Sequence, residues 1–501
     1  MLAWTIYSSF IGAGLLMVLD PARKQAARFL ALATAMVGFG IALAGFIQYQ
    51  PPGDGDFGTV RTISNIPWIS TLGLRYFLAA DGISLTLVLL TGLAAVAGIL
   101  FSWNIEYRVK EFFTFYLTLI GGVYGVFLSF DLFLLFVFYE IAIIPKYFLI
   151  AIWGSTRKEY GAMKLALYSF AGSAMVLVGL LAAYVKSSAR TLSIVDLAAF
   201  PFPESFQIWV FPLIFIGFGI LAGLWPLHTW APTGHVAAPT GASMLLAGVV
   251  MKLGAYGALR VGMTLFPAGA QAWQYPMATL AVIGIVYGAM VALVQKDFKF
   301  VIGYSSVSHM GFVLLGLMTL NKTGISGAVL QMFSHGVIAG LLFAVVGRMV
   351  YERSHTRDLD ELQGMDLGRV LPFASVTFVL AGAASMGVPG FSGFVAELQV
   401  LIGAWRAFPV MALLGGAGVF LGVVFTLRAI QKSFFGEHRN AGSESGNQHE
   451  LPPITLPEKA GAVILLAATI VIGLCPNLLL NIIMPSLNAP WMQGLLRGGR
   501  P

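Results

Sequence analysis

Seven ionisable residues of this sequence stand inside long apolar runs, where charges are rare. They are three lysines, two glutamates and two histidines: Lys146, Lys164, Lys252, Glu140, Glu397, His309 and His335. A charged side chain at membrane depth costs at least about 2.5–3.5 kcal/mol on insertion scales, so it is retained where it meets a partner or lines a hydrated path. Burial and neighbouring charges can move the pKa of all three residue types toward neutrality. A series of such groups, bridged by water, has the chemistry of a proton path.

Four of the seven also have simpler interpretations. Lys164 lies about one turn into its helix and could extend its ammonium group to the membrane surface, and Lys146, after Pro145, could do the same. Either histidine could be a neutral, hydrogen-bonded packing residue. Lys252, Glu140 and Glu397 lie deep in helical segments, which favours a functional interpretation for these three.

The composition predicts the elements that must hold these residues. Hydrophobic residues make up 58% of the 501 positions and charged residues 10%, and the mean hydropathy is +0.85. A soluble domain is about 25% charged. Successive apolar runs of about 20 residues can each cross a bilayer core of about 30 Å. The sequence therefore predicts one integral membrane domain over 1–501 rather than several soluble domains.

We expect an all-α polytopic membrane protein of roughly fourteen transmembrane helices. The first segment lacks a basic leader and a small-residue cleavage site, so it is expected to be a spanning helix rather than a cleaved signal. The predicted spans are 1–18, 29–49, 83–101, 112–130, 131–154, 160–184, 206–225, 239–262, 274–294, 298–319, 323–350, 370–405, 408–434 and 459–484.

Two of these spans are predicted to be broken. Pro226 interrupts the seventh apolar run, and a short amphipathic stretch follows it. The twelfth span, 370–405, is too long for one crossing and contains Pro389 between Val388 and Gly390. Backbone freed by such breaks must be buried in protein or line a wet cavity. Interrupted helices in both halves are typical of transporter bundles built from inverted repeats, with Pro226 and Pro389 as hinges.

The distribution of charge predicts the orientation and excludes other classes. With the N-terminus outside, the inner loops hold nearly twice as many Lys and Arg residues as the outer ones, so both termini are predicted to be periplasmic and the loops 352–369 and 436–458 cytoplasmic. The latter is glycine- and serine-rich and is predicted to be flexible. The net charge of +7 is spread along short loops without a basic stripe, which argues against nucleic acid. The single Cys475 argues against a disulfide framework, an iron–sulfur cluster or a thiolate zinc site.

Several ordered blocks make the sequence resemble the antiporter-like subunits of respiratory complex I. It is most similar to the subunit M (chain 4) type: the subunit L type has a C-terminal extension with a lateral helix, and the subunit N type usually has lysine where this chain has Glu397. The blocks are DGISL at 81–85, FYE at 138–140, LWPLHTW at 224–230, APT at 238–240, LLAGVVMKLG at 245–254, YSSVSHMG at 304–311, SHG at 334–336 and GVPGFSGF at 387–394.

The resemblance implies a role for each ionisable residue. Glu140 corresponds to the ionisable position of the fifth helix and Lys252 to the central lysine of the eighth. His309 and His335 correspond to the connecting histidines, and Glu397 to the terminal carboxylate that exchanges protons with the periplasm. The core bundle is expected at about 112–405, with flanking helices at 1–101 and 408–484.

The resemblance also implies a setting. The chain would translocate protons in the bacterial inner membrane, within the membrane arm of an NADH:quinone oxidoreductase. Its neighbours would include subunits of the L and N types. It would hold no cofactor or metal of its own, because partner subunits would carry FMN and iron–sulfur clusters and reduce quinone.

One departure from the family pattern leaves alternatives open. The seventh-helix lysine, the usual partner of the fifth-helix glutamate, is replaced by Leu221. Lys146 or Lys164 is predicted to supply a substitute cation for Glu140. Other interpretations are a divergent, non-pumping subunit M, a subunit of a cation/proton antiporter, and the membrane arm of a hydrogenase or formate hydrogenlyase. An independent solute transporter is disfavoured, because the spans hold no cluster of polar residues for a substrate.

Overall fold

A computed structural model describes residues 1–50, 60–187, 191–436 and 451–496. Seventeen helices of at least eight residues are found in these ranges: α1 (Ala3–Val18), α2 (Lys24–Ile47), α3 (Gly82–Phe101), α4 (Val109–Leu128), α5 (Leu132–Trp153), α6 (Lys158–Ser187), α7 (Glu204–Ala222), α8 (Trp230–Ala237), α9 (Thr240–Met263), α10 (Gln274–Val294), α11 (Phe298–Met318), α12 (Lys322–Ser354), α13 (Pro372–Ser385), α14 (Ser392–Ala407), α15 (Pro409–Phe434), α16 (Leu456–Leu474) and α17 (Asn477–Leu487). Shorter helices occupy Ile194–Ala199, Pro267–Ala272, Leu359–Leu362, Leu367–Val370 and Gln493–Leu496.

The predicted polytopic helical fold is confirmed, with differences in detail. Twelve helices of the described ranges are long and apolar enough to cross a membrane. The predicted count of fourteen is not established, because α1 has 16 residues and the 370–405 segment forms two helices of 14 and 16 residues. The single span predicted at 459–484 is wrong. Cys475 leaves the helical conformation before Pro476, as the steric effect of a following proline favours, so α16 and α17 are separate.

A β-hairpin is the part of the fold that the all-α prediction missed. Strands β1 (Arg61–Ile69) and β2 (Leu74–Ala80) pair antiparallel, and Gly73 at φ 71° closes the turn between them. Leu78 forms a further bridge with Ser129, directly after α4. The hairpin thereby joins the beginning of α3 to the segment between α4 and α5.

Aspartates mark where several apolar runs become helices. Asp81 accepts a hydrogen bond from Ser84 N, Asp131 from Phe133 N and Leu134 N, and Asp297 from Lys299 N and Phe300 N. A carboxylate at this position satisfies backbone N–H groups that the first helical turn leaves unpaired. These caps fix the beginnings of α3, α5 and α11.

Both predicted helix breaks are present. Helix α7 ends at Gly223, which has φ 85°, and Pro226 lies in the link to α8. Helix α13 ends before Gly387 and Gly390, at φ 72° and 98°, and Pro389 lies between them. Positive φ values are accessible to glycine without a Cβ clash. The second break lies beside an ionisable residue, since a Cβ on Gly387 would be 3.4 Å from Glu397 Oε2.

Burial separates a central pair of helices from the periphery. The apolar windows of α9 and α12 are 100% buried, whereas those of α2 and α15 are only 28% buried. Exposed apolar side chains on α2 and α15, such as Phe29 and Phe420, are suited to contact lipid. The central pair carries Lys252 and His335. The loop predicted at 436–458 falls largely outside the described residues, which omit 437–450.

Candidate proton path

The central lysine is fully buried and touches a histidine on the neighbouring helix. Lys252 of α9 is 0% exposed, and its Nζ lies 2.7 Å from His335 Nδ1 on α12. The same ammonium group donates a hydrogen bond to Ala247 O, in the π-helical segment Leu246–Val250. Wider turns of this kind are frequent at functional sites, because they free a backbone carbonyl for another partner.

A second histidine continues from the first. The rings of His335 and His309 stack with centroids 5.6 Å apart and an angle of 18° between their planes. His309 Nε2 lies 3.3 Å from Glu397 Oε1, which also accepts a hydrogen bond from Gln331 Nε2 at 3.2 Å. Lys252, His335, His309 and Glu397, which we call the distal row, therefore form one line across α9, α12, α11 and α14.

Both ring nitrogens of His309 lie close to hydrogen-bond acceptors. Its Nδ1 lies 2.8 Å from Ser305 O, and its Nε2 lies 3.1 Å from Ser385 O as well as 3.3 Å from Glu397 Oε1. Carbonyl oxygens can only accept hydrogen bonds, so both ring nitrogens face acceptors. His309 therefore links Glu397 to backbone carbonyl groups of α11 and α13.

A small cavity adjoins the distal row. Its volume is about 10 Å³, and its lining includes His309, His335, Gln331, Ser306 and Glu397. Three polar atoms of these residues are buried without a hydrogen-bond partner: His335 Nε2, Gln331 Oε1 and Ser306 Oγ. A buried water needs about 10–15 Å³ and two to four polar partners. The cavity thus has the size and lining for one water molecule between the two histidines.

Glu140 lies apart from this row. Its side chain on α5 is half-buried, and Oε1 is buried without a hydrogen bond. Helix α7 stands between α5 and α9: Phe218 packs edge-on against Tyr139, and Gly254 touches the α7 backbone at Leu221. Leu221 is 1% exposed, so an apolar segment separates Glu140 from Lys252.

The two candidate substitute cations lie in different surroundings. Lys146 is 1% exposed and donates a hydrogen bond to Ser169 Oγ at 3.0 Å, so it does not extend to a membrane surface. Lys164 is half-buried, contacts Thr233 Oγ1 at 3.4 Å and lies over the Tyr160 ring. In the described ranges neither lysine forms an ion pair with Glu140, although the charge of Lys146 acts on it.

Two buried basic residues were missed by the sequence interpretation. His235 of α8 is 0% exposed, has no hydrogen-bond partner on either ring nitrogen, and feels the charges of Lys252 and Lys299. Lys299, near the beginning of α11, is 2% exposed and donates to Ala238 O at 3.2 Å. The sequence signal for His235 was its place in the stretch after Pro226, between two prolines, which folds inward as a short helix.

A second buried charge cluster lies away from the distal row. Arg260 of α9 and Asp81, which caps α3, are both 0% exposed and form an ion pair at 2.7 Å. Arg260 also contacts Tyr256 OH and packs against the rings of Phe130 and Trp491. This packing against aromatic rings identifies a structural ion pair between α3 and α9.

Comparisons with known proteins agree with this architecture. Residues 129–424 match the family described as NADH:quinone oxidoreductase/Mrp antiporter, TM. NADH-quinone oxidoreductase subunit M of Rhodobacter capsulatus is 36% identical over 479 residues, which cover 93% of this chain and 90% of the relative. A chain of respiratory complex I from Thermus thermophilus superposes with a TM-score of 0.87 at 27% identity, covering 99% of this chain and 100% of that one.

A related fold is found in a different assembly. A chain of the Mrp complex from Dietzia sp. DQ12-45-1b has a TM-score of 0.83 at 20% identity, with 99% of each chain covered. This likeness concerns the fold alone. The family match and the subunit M relative, by contrast, extend over most of the sequence. The chain therefore belongs to the NADH:quinone oxidoreductase/Mrp antiporter family of membrane subunits, and within that family to the subunit M type.

Proposed function

We propose that this chain translocates protons as a membrane-arm subunit of an NADH:quinone oxidoreductase of the complex I type. The observation that carries the proposal is the distal row, in which Lys252, His335, His309 and Glu397 follow one another through the most buried part of the bundle. Buried ionisable side chains that face the interior of a bundle are the usual elements of proton relays.

The contacts support the following order of transfer. Lys252 Nζ gives a proton to His335 Nδ1, and His335 Nε2 releases one to a water in the adjoining cavity. That water passes a proton to the His309–Glu397 pair once the pair has released its own. His335 then carries its hydrogen on Nδ1 and must return it to Nε2 by tautomer exchange before it accepts from Lys252 again, so one proton moves in each cycle without covalent chemistry. Glu397 then exchanges with the periplasm.

The inlet to Lys252 is assigned to the two basic residues that the sequence interpretation missed. Lys299 lies where α8 meets α9, in contact with Ala238 O, and His235 is positioned to interact with both Lys299 and Lys252. With both ring nitrogens unpartnered, His235 is free to accept a proton on one nitrogen and release it from the other. We assign this end of α9 to the cytoplasmic side.

The driving force comes from other subunits. Electron transfer from NADH to quinone, through FMN and iron–sulfur clusters in partner subunits, changes the conformation or the field along the membrane arm. Neighbouring subunits of the L and N types pass that change to this chain. The chain spans the bacterial inner membrane fourteen times, with both termini periplasmic. Reporter fusions at Gly442, outside the described residues, and at the C-terminus are expected on opposite sides, and the same side for both would refute this topology.

The test of the function is Lys252→Met in the intact complex, reconstituted in liposomes. The proton-to-electron ratio is expected to fall by the share of this subunit, because methionine fills the site and carries no proton. Lys186→Met is the matched control, since Lys186 is an exposed lysine at the far end of α6. An unchanged ratio with Lys252→Met would show that the lysine is a structural relic.

Leu221 favours a second candidate, a subunit M that has stopped pumping and acts as a scaffold. In that case the ratio would not respond to changes anywhere in the distal row. A place in a cation/proton antiporter or hydrogenase complex is tested differently, by the proteins that co-purify with the chain. Quinone-binding and NADH-oxidising partners support the complex I assignment, and their absence from a stable complex would overturn it.

A further inference from the structure

Glu140 lacks the seventh-helix cation, yet its surroundings are not purely apolar. The side chains that act on its carboxyl group are Ser173 of α6 and Lys146 of α5. Both Ser173 Oγ and Glu140 Oε1 are buried without a hydrogen bond of ordinary geometry. Each of these two atoms could therefore form a further hydrogen bond to a polar neighbour. Buried polar groups are rarely left in that state.

Lys146 is held by the same helix that carries Ser173. Its ammonium group donates to Ser169 Oγ at 3.0 Å, and both residues are buried, at 1% and 2% exposure. A lysine has three N–H donors, and a serine hydroxyl can accept one hydrogen bond while donating another. The Ser169 hydroxyl, having accepted from Lys146, still has a hydrogen to donate.

The two serines are one helical turn apart and share a face of α6, since residues at i and i+4 are neighbours on a helix surface. Lys146 and Ser169 are hydrogen-bonded, and Ser173 lies one turn further along α6, so polar side chains of both helices lie along the α5–α6 contact. Gly172 lies beside the serines and packs so closely on α7 that a Cβ there would be 2.5 Å from Gly217 O. This backbone contact holds the serine face of α6 in register.

We propose that Ser169 and Ser173 couple the charge of Lys146 to Glu140, so that a cation moved from α7 to α5 replaces the lysine that Leu221 displaced. This inference rests on the proposed function. It concerns the surroundings of Glu140 and Lys146, which we call the proximal half of the ionisable line. Lys146 polarises Ser169, and Ser173 hydrogen-bonds to Glu140 when that residue is anionic. A proton that reaches Glu140 reverses the direction in which the hydroxyls donate. The serines are positioning residues, and no proton is consumed.

The experiment measures proton transport per electron in the intact, reconstituted complex. Ser169→Ala and Ser173→Ala are each expected to lower this chain's share of proton transport per electron about tenfold, because the first removes the acceptor of Lys146 and the second removes the hydroxyl proposed to bind anionic Glu140. Ser169→Thr and Ser173→Thr keep the hydroxyl and are expected to retain transport. Ser187→Ala is the matched control on α6, a buried hydroxyl that bonds only Tyr184 O in the described structure.

A rescue variant separates a positioning role from a structural one. Lys146→Met is expected to lower transport, and Lys146→Met with Leu221→Lys is expected to restore it, because the family position again supplies a cation. Failure of the rescue, or full transport in both alanine variants, would overturn the inference. If Lys252→Met still lowers transport in the same preparations, the proposed function stands without it. If Lys252→Met also has no effect, the proposed function fails too.

Discussion

The two halves of the ionisable line are built differently. In the distal row each side chain touches the next, from the 2.7 Å contact between Lys252 and His335 to the 3.3 Å contact between His309 and Glu397. In the proximal half Glu140 has no ion pair within the described ranges, and Lys146 donates its hydrogen bond to Ser169 instead. One half of a proton path can therefore keep its residues while the other half replaces the cation beside its glutamate, provided that another cation lies close enough to act on that glutamate.

The largest effect on proton transport is expected at Glu397, the last residue of the distal row. Glu397→Gln removes the carboxylate that faces His309 Nε2, so a proton that reaches His309 loses its acceptor. We expect the contribution of this chain to proton transport to disappear, while quinone reduction continues in the uncoupled state. Glu204→Gln, on an exposed glutamate at the beginning of α7, is the control and should leave the ratio unchanged. Normal transport in Glu397→Gln would remove this residue from the path.

A smaller loss of proton transport is expected when position 252 keeps its positive charge but cannot release a proton. Arginine stays protonated in proteins, whereas lysine can lose its proton when buried. Lys252→Arg should therefore assemble and transport more slowly than the native chain, yet better than Lys252→Met. Flux measurements on the three proteins provide the ranking. Equal rates for arginine and lysine would mean that Lys252 acts only as a fixed charge.

Restoring the family's lysine in the proximal half should change proton transport least. If Lys146 already acts on Glu140, Leu221→Lys adds a second cation and brings no gain, or a slight loss through like-charge repulsion. The same substitution should help only when Lys146 is absent. An increase in proton transport by Leu221→Lys alone would instead indicate that the native proximal gate is impaired.

The buried ion pair between Asp81 and Arg260 lies outside the distal row, so breaking it should not change proton transport in the assembled complex. Asp81→Asn keeps the cap on α3 but leaves Arg260 buried without its carboxylate, which costs about 3–5 kcal/mol when one partner of such a pair is removed. We expect a lower midpoint of thermal unfolding and an unchanged proton-to-electron ratio in the complexes that remain. A lower ratio at normal stability would place this ion pair on the path.

The sequence predicted the helical bundle, both helix breaks and the residues of the distal row, because apolar length, proline and buried charge are local signals. It did not predict contacts. That Lys252 meets His335 depends on how α9 and α12 pack, and no local pattern contains this packing. The same limit explains why Lys299 and Ser169 were overlooked. A serine in an apolar helix carries no distinguishing signal until its neighbour on the next helix is known.

The hairpin and the α16–α17 break were missed for a different reason. The residues of β1 alternate only weakly, and hydropathy alone does not separate Leu456–Leu474 from Asn477–Leu487. In the second case the sequence did contain a signal, since Pro476 restricts the conformation of Cys475. Apolar length outweighed it in the prediction.

The most direct test of the distal row as one proton path is the proton-to-electron ratio of three proteins: Lys252→Met, Glu397→Gln and the double variant. A path in series is blocked by one interruption, so the double variant is expected to transport no less than the more severe single variant. Losses that add, or a ratio that neither single variant lowers, would contradict the account.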